Sequence, residues 1–315
     1  MGIIQEPKHY TGRDLETIFF RPMITGDNAE NLGIRTIYNM PTPTTIQLWS
    51  PQSDVLQHYS SGWSGGDSAV RKQKEIMLTK IKAEVGFSAA DYFNQVYELI
   101  TNNSSVNMDD LTGSELEKAE TEMFRAAIAE SLRTLMWVGD TESETYNLFD
   151  GFLKLSRTYG CREVDFSDDG WQPESITYYF NSIWNNADAR LRALKKDGQL
   201  AFFVTSALYD AYEIYLDQFG GDSSYEGLMG GRRVLTYHGI PVIDMSISHI
   251  NAEGSNHSCI LTDRRNLVLA VNTNDYPGAE VRMWYNPDEM ENRQRATFLA
   301  GCEILDEELV VRAIF

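Results

Sequence analysis

The sequence predicts an α+β protein in which long helices pack against extended β-sheet, and three observations carry that prediction. The stretch from Gly230 to Phe315 is a series of β-rich runs separated by turns: "GGRRVLTYHGIPVIDMSIS", "CILTDRRNLVLAVNTND" and "VRMWYNPDEMENRQRATFLAGCEILDEELVVRAIF". From Ser114, apolar residues recur at helical spacing (Leu116, Ala119, Met123, Ala127, Leu132, Leu135, Met136), widened by Phe124 and Ile128. A second amphipathic run follows from Pro173 to Gly198. None of these segments carries a nucleophile, a metal cluster or a phosphate loop.

Taken in order, residues 1–34 mix short apolar clusters with Pro7, Gly12, Pro22, Gly26 and Gly33, so no periodicity outlasts one turn. Such a segment cannot bury itself and is expected to lie extended across another surface. Ile34 to Trp49 reads as a strand interrupted at Pro41 and Pro43, as at a sheet edge or bulge. Ser50 to Val70 is loop-like, with Gly62, Gly65 and Gly66 beside the large apolar Trp63. Glu75 to Phe87 returns as a strand, so the two runs and their loop predict a protruding hairpin. Ser88 is placed to cap a short helix, "SAADYFNQVYELI".

Ser114 and Glu117 have the spacing of a capping box. The helix they open spans about 24 residues, roughly 36 Å, long enough for a strut. Its polar face carries Glu115, Lys118, Glu122, Arg125 and Arg133, and Gly139-Asp140 ends it. In the second run Pro173 suits the first helical position. Ile176, Tyr179, Phe180, Ile183, Trp184, Ala187, Leu191 and Leu194 then form one apolar face. Lys195 and Lys196 favour its negative end, and Gly198 can adopt the left-handed cap. Leu200 to Val204 reads as a buried strand, and a third helix starts at Ser206 with Leu208, Tyr212, Tyr215 and Leu216 on its face.

With 315 residues the chain has room for about two domains. Its 42% hydrophobic content and 6 Trp, 16 Tyr and 14 Phe are those of a folded chain with a sizeable core. The net charge of −19 argues against a nucleic-acid groove, which needs clustered Lys and Arg. The plain reading of this charge is solubility; an acidic surface would also suit a container wall that packed DNA touches without adhering. Cys161, Cys259 and Cys302 are odd in number and far apart, so no disulfide framework is expected, and a reducing cytoplasm fits. The start lacks the pattern of a signal peptide, and no apolar run approaches the roughly 18 residues that span a membrane.

The candidate chemistry reads as surface. His249, His257 and Cys259 lack ligand spacing, and "GLMGGRR" (227–233) lacks the spacing of a phosphate loop. "SGWSGG" is not a nucleophile elbow. Asp109-Asp110, Asp168-Asp169 and Asp306-Glu307-Glu308 are expected in solvated turns, with an acidic hydrolase as the remote alternative. No catalytic, cofactor-binding or metal-binding residue is assigned, no cofactor is expected, and the three cysteines read as small buried hydrophobes. The expectation is a structural protein rather than an enzyme.

The order of elements resembles the Hong Kong 97-type fold of tailed-phage major capsid proteins, which encapsulins share. "MFRAAIAESLRTLMWVGDTESETYNLFDGFLKL" is similar to the family's spine helix and the corner into its axial domain, and "LAFFVTSALYDAYEIYLD" to the strand and helix at that domain's centre. "YHGIPVIDM" and "ILTDRRNLVLAV" resemble the strands that follow. The resemblance implies an N-terminal arm (1–34), a strand and extended loop (35–75), a peripheral domain with the spine helix (76–140), an axial domain (141–262) and peripheral strands (263–315). It implies hexamers and pentamers of an icosahedral virion shell made in the host cytoplasm. It also implies separate scaffolding, portal and decoration proteins, double-stranded DNA contacted without sequence specificity, and no membrane. An arm that begins near Met1 favours a separate scaffolding protein. Lys72 and Lys74 flank the loop and are expected to be ordinary solvated lysines. The alternative within the fold is an encapsulin-type compartment.

Overall fold

The computed structural model describes residues 29–40, 44–49, 61, 71–88, 115–168, 170–219, 225–229, 232–248, 250, 256–272 and 281–315. The helix expected after Ser88, the loop tip with Trp63 and nearly all of the expected arm lie outside the described residues. The described strands run β1 (Arg35–Ile37), β2 (Thr44–Trp49), β3 (Arg71–Ile76), β4 (Thr79–Ser88), β5 (Arg162–Asp165), β6 (Leu200–Val204), β7 (Tyr225–Met229), β8 (Arg232–Tyr237), β9 (Ile240–Asp244), β10 (Cys259–Asp263), β11 (Leu267–Val271), β12 (Val281–Asn286), β13 (Glu291–Ile304) and β14 (Val310–Ile314). The helices are α1 (Glu115–Val138), α2 (Phe152–Thr158), α3 (Ile176–Asn186), α4 (Ala189–Ala193) and α5 (Ser206–Phe219).

The strands form two large sheets and one hairpin. A five-stranded sheet has the order β1-β11-β13-β12, with β4 also paired to β13. A seven-stranded sheet has the order β5-β14-β10-β6-β9-β8-β7, and β2 pairs with β3 alone. The stretch 263–315 is therefore shared between the sheets: β11, β12 and β13 build the first, and β14 returns to the second. The α+β class matches the sequence-based expectation.

β13 is the axis of the five-stranded sheet. Residues 291–300 pair with β4, and 300–304 pair with β11. Its alternation separates two faces: Asn292, Gln294, Ala296 and Phe298 are buried on one, while Arg295 and Thr297 are exposed on the other. The seven-stranded sheet is buried on both faces at its centre, where every residue of β6 and β10 is covered. β8 and β9 are joined by His238 and Gly239, both at positive φ (53° and 75°). That two-residue turn matches the right-handed twist of its strands.

α1 joins the sheets. Its residues Ile128, Leu132, Leu135, Met136 and Trp137 share one core with Phe298, Ala300 and Ile304 of β13 and with Ala201 and Phe203 of β6. Trp137 has its ring 5.5 Å from Phe152 and 5.2 Å from Phe203. α3, α4 and α5 cover the seven-stranded sheet through a second core containing Phe180, Leu191, Phe202 and Tyr212.

The structure corrects the sequence reading in three places. The strand expected over 75–87 is two strands, β3 pairing with β2 and β4 with β13. Between them Met77 is 71% exposed, and its carbonyl crosses over Gly301, where a Cβ would stand 2.3 Å from it. The run from Pro173 is not one helix. Ala187 turns to ψ 142° and Asp188 caps α4 by accepting a 2.8 Å bond from the Arg190 amide. A short polar side chain thus satisfies the backbone in place of the helix. The apolar face survives the break because Ile183, Ala187 and Leu191 are all buried, and Gly198 ends the segment at φ 67°. In α1 the buried stripe is centred on Ile128 and Leu132, and Ala127 is only half-buried.

Candidate functional site

Among the described residues no group of three or more His, Cys, Asp or Glu side chains converges as a metal site. His257 stacks on Trp171 with ring centroids 4.9 Å apart, and burial holds its pKa below the usual value. His249 lies outside the described residues, as do Asp109, Asp110 and Asp169. Cys259 and Cys302 are buried free thiols whose pKa burial pushes up, and burial pushes Cys161 up to about 11. Thiols so disfavoured as thiolates are packing residues, as the sequence reading has them. Asp306-Glu307-Glu308 is not simply a solvated turn. Asp306 accepts from the Glu308 amide at 3.1 Å, and Arg190 pairs with both Asp306 and Glu308.

What the fold does build is a framework of joints between its parts. Gly139 and Gly151 form the first, at the end of α1. The Gly151 amide donates to the Gly139 carbonyl at 2.8 Å. A Cβ on Gly139 would meet the Phe149 carbonyl at 2.3 Å, and one on Gly151 the Leu135 carbonyl at 2.6 Å. Only glycine admits backbones this close. Between them every residue from 141 to 148 is exposed. Lys154 gathers the base of this loop, pairing with Asp140, with Glu142 at 3.0 Å and with Asp150 at 3.8 Å. The hydrogen bond from Lys154 lowers the Asp140 pKa.

The second joint is Arg133, which the helical pattern assigns to a polar face. It is 2% exposed and donates to the carbonyls of Met245 and Ser246 at 2.6 and 3.1 Å, while also pairing with Glu130. No local spacing reveals this, because the acceptors lie 112 and 113 residues away in sequence. Ser246 carries a positive φ of 53°, which turns the chain after β9. α1 is thus tied to the seven-stranded sheet by polar bonds as well as by its apolar stripe.

The third joint holds the β2–β3 hairpin. Lys74 of β3 lies 3.6 Å from a Glu303 carboxylate oxygen and 3.5 Å from the Tyr159 ring centroid. The Tyr159 hydroxyl donates to Glu303, whose pKa burial raises. Lys74 is therefore a paired cation at the foot of the hairpin rather than the solvated lysine expected. Ile76, Met40, Leu78, Val268, Ala270 and Leu305 pack beside it.

On the same outer face, beyond the hairpin, Lys82, Glu84, Arg282 and Arg295 of the five-stranded sheet are exposed. In register across β4, β13 and β12 stand Glu84, Arg295 and Arg282, then Gly86, Arg293 and Trp284. Lys82 pairs with Glu84 at 2.7 Å, and Arg295 approaches Glu84 to 3.4 Å. Trp284 is 41% exposed.

No protein-family model and no curated protein matches the sequence. Solved structures do match, almost end to end. The capsid of Myoviridae phage XM1 aligns with a TM-score of 0.56 at 10% identity, covering 99% of this chain and 98% of that one. The capsid of the native GTA particle gives 0.52 at 11% identity over 94% of each chain. The SrpI encapsulin of Synechococcus elongatus PCC 7942 gives 0.51 at 10% identity over 97% and 95%. Identities this low carry the fold, and the fold agrees with the helix, hairpin and two sheets described above. The chain has the capsid fold of the tailed phages, the Hong Kong 97 type.

Proposed function

We propose that this chain is a major capsid protein that assembles into the icosahedral shell enclosing a phage genome. The observation that carries the reading is the near-complete coverage of phage capsid chains in the structural matches. The joints support it. A shell subunit repeats each contact many times, so its rigid parts must hold fixed angles, and buried bonds at Arg133, Lys74 and the Gly139–Gly151 crossing fix them. The role is structural rather than catalytic. The partners are further copies in hexamers and pentamers, with scaffolding, portal and decoration proteins and the packaged DNA as the remainder of the virion. The chain is made in the host cytoplasm. Among the described residues no helix is long and apolar enough to cross a membrane.

Negative-stain microscopy of the expressed chain, alone and with the neighbouring genes of its operon, tests this. Closed shells, rings or polymers far above 35.8 kDa are expected. A monomer at micromolar concentration in every condition would sink the reading. The encapsulin match at a TM-score of 0.51 supports a second reading, a protein-filled compartment. Portal and terminase genes beside the gene favour the virion shell, and an adjacent cargo enzyme favours the compartment.

A further inference from the structure

The β2–β3 hairpin is seated on the subunit at its foot. Among the described residues its two strands pair only with each other, so no ladder ties it into either large sheet. Ile76 and Ile46 of the hairpin pack with an apolar shelf of Met40, Val268, Ala270 and Leu305. Met40 belongs to the shelf rather than to the hairpin, because its amide donates to the Val271 carbonyl at 3.2 Å.

A second contact at the foot is polar and can change its charge. The Glu303 side chain is 8% exposed, with the Lys74 ammonium 3.6 Å away. Lys74 also lies over the Tyr159 ring, so this hairpin residue is the lid above the carboxyl. The titratable groups facing Glu303 are Lys74 from β3, Tyr159 from just beyond α2, and Cys302 beside it on β13. Along its row of the ladder stand apolar Val268 and then Arg35 of β1. Asp150 and Glu307 bear on Tyr159. Burial raises the Glu303 pKa more than Tyr159, Lys74 and the Ile304 amide lower it. Covering a carboxylate costs more than covering a carboxylic acid. Lifting the hairpin admits water to this group, so the seated state holds the proton to higher pH than the lifted one. By linkage, seating is favoured fully below the ordinary 4.5 and loses ground as pH rises through the raised value.

We propose that the β2–β3 hairpin is a proton-gated arm: protonated Glu303 keeps it seated on the Met40–Leu305 shelf, and ionised Glu303 lets it lift more often. The hairpin is seated most of the time in either state, and the frequency of opening is what changes. The device belongs to the single subunit and stands apart from the shell reading.

The test is methionine oxidation in the full chain, at a concentration below assembly. Hydrogen peroxide transfers one oxygen atom to a thioether that solvent reaches, and leaves as water. Met40, 4% exposed on the shelf, reports lifting, and Met77, 71% exposed, supplies the reference rate at each pH. Met136, 0% exposed in the main core, reports loss of the whole fold. By peptide mass spectrometry the Met40-to-Met77 ratio should rise about threefold or more from about pH 5 to about pH 8, while Met136 stays protected. Glu303→Gln should hold the ratio at the parent's low-pH level throughout. Lys74→Leu removes a cation that favours the carboxylate, so its rise should be larger and should continue to higher pH. A parent ratio that is flat or falls with pH overturns the proposal, and so does a rise that persists in Glu303→Gln. A Lys74→Leu profile identical to the parent's puts another group over Glu303 and also overturns it. Met136 oxidising in step with Met40 does the same, because the loss then belongs to the whole subunit.

Discussion

Arg133 of α1 donates to the Met245 carbonyl at 2.6 Å from a position that is 2% exposed. A guanidinium so deeply covered is held by the Met245 and Ser246 carbonyls and by Glu130. It ties the helix that spans the five-stranded sheet to the turn after β9 in the seven-stranded one, so the angle between sheets depends on it. Replacing Arg133 by Ala removes the guanidinium donor from the Met245 and Ser246 carbonyls, at a cost of about 3 kcal/mol. Urea denaturation should show a lower midpoint with an unchanged slope. A midpoint equal to the parent's would mean that water replaces the guanidinium without penalty.

The apolar stripe of α1 gives a graded series. Ile128 is 5% exposed, and Ile128→Ala should cost about 2–4 kcal/mol through lost burial and the cavity left behind. Ala127→Asp, at a half-buried position, should cost less than Ile128→Asp. Arg125→Ala should change stability by less than the error of the measurement, since Arg125 is exposed and reaches Glu122 only at 3.8 Å. Thermal melts of the purified variants rank the series, and an Ala127→Asp protein less stable than Ile128→Asp would reverse the assignment of the stripe.

The glycine crossing should tolerate no side chain. Gly151→Ala places a Cβ within 2.8 Å of three backbone atoms belonging to Leu135, Trp137 and Gly139. Backbone cannot move aside as the tip of a flexible side chain can, so the expected outcome is insoluble or unfolded protein. Gly160→Ala, at a glycine with open space and φ 62°, should remain soluble with a moderate loss from strain alone. Soluble yield and circular dichroism distinguish the two.

Glu303 should shape the pH dependence of stability. Burial raises its pKa in the folded protein above the ordinary 4.5. The folded state therefore holds this proton to higher pH than the unfolded chain does. The stability linked to it is complete below pH 4.5 and is lost as pH rises through the raised value. In Glu303→Gln that loss is absent, so the variant should gain on the parent as pH rises from 4.5 toward 7 in denaturant titrations. A parent-to-variant difference that stays constant over this window would contradict the assignment.

Removing 60–69 should leave the subunit fold unchanged by circular dichroism, because β2, β3 and the Lys74–Glu303 joint are retained. If this loop clamps neighbouring copies, shells of the shortened protein should fail to form or fall apart on mild heating. Shells as heat-stable as the parent's would make the loop a mere insertion.

Local pattern was enough for the elements that one face or one turn specifies. The α1 stripe, the buried run Leu200–Val204, the helix from Ser206 and the left-handed Gly198 follow from spacing and backbone sterics within a few residues of sequence. The family resemblance was legible for the same reason, since it rests on the order of such elements. Tertiary structure alone decided where the elements meet. Arg133 lies on what the helical pattern makes a polar face, yet it is buried because acceptors 112 and 113 residues away close over it. Lys74 looks like any loop-flanking lysine until β13 brings Glu303 beside it, and Gly301 has no visible task until the Met77 carbonyl crosses it. The break at Ala187 depended on whether Asp188 would cap a new helix or ride on the old one, a choice that periodicity does not encode. Propensity and hydrophobic period act over one or two turns. The joints that hold this molecule's parts at fixed angles are contacts between residues distant in sequence, and only the folded chain brings them together.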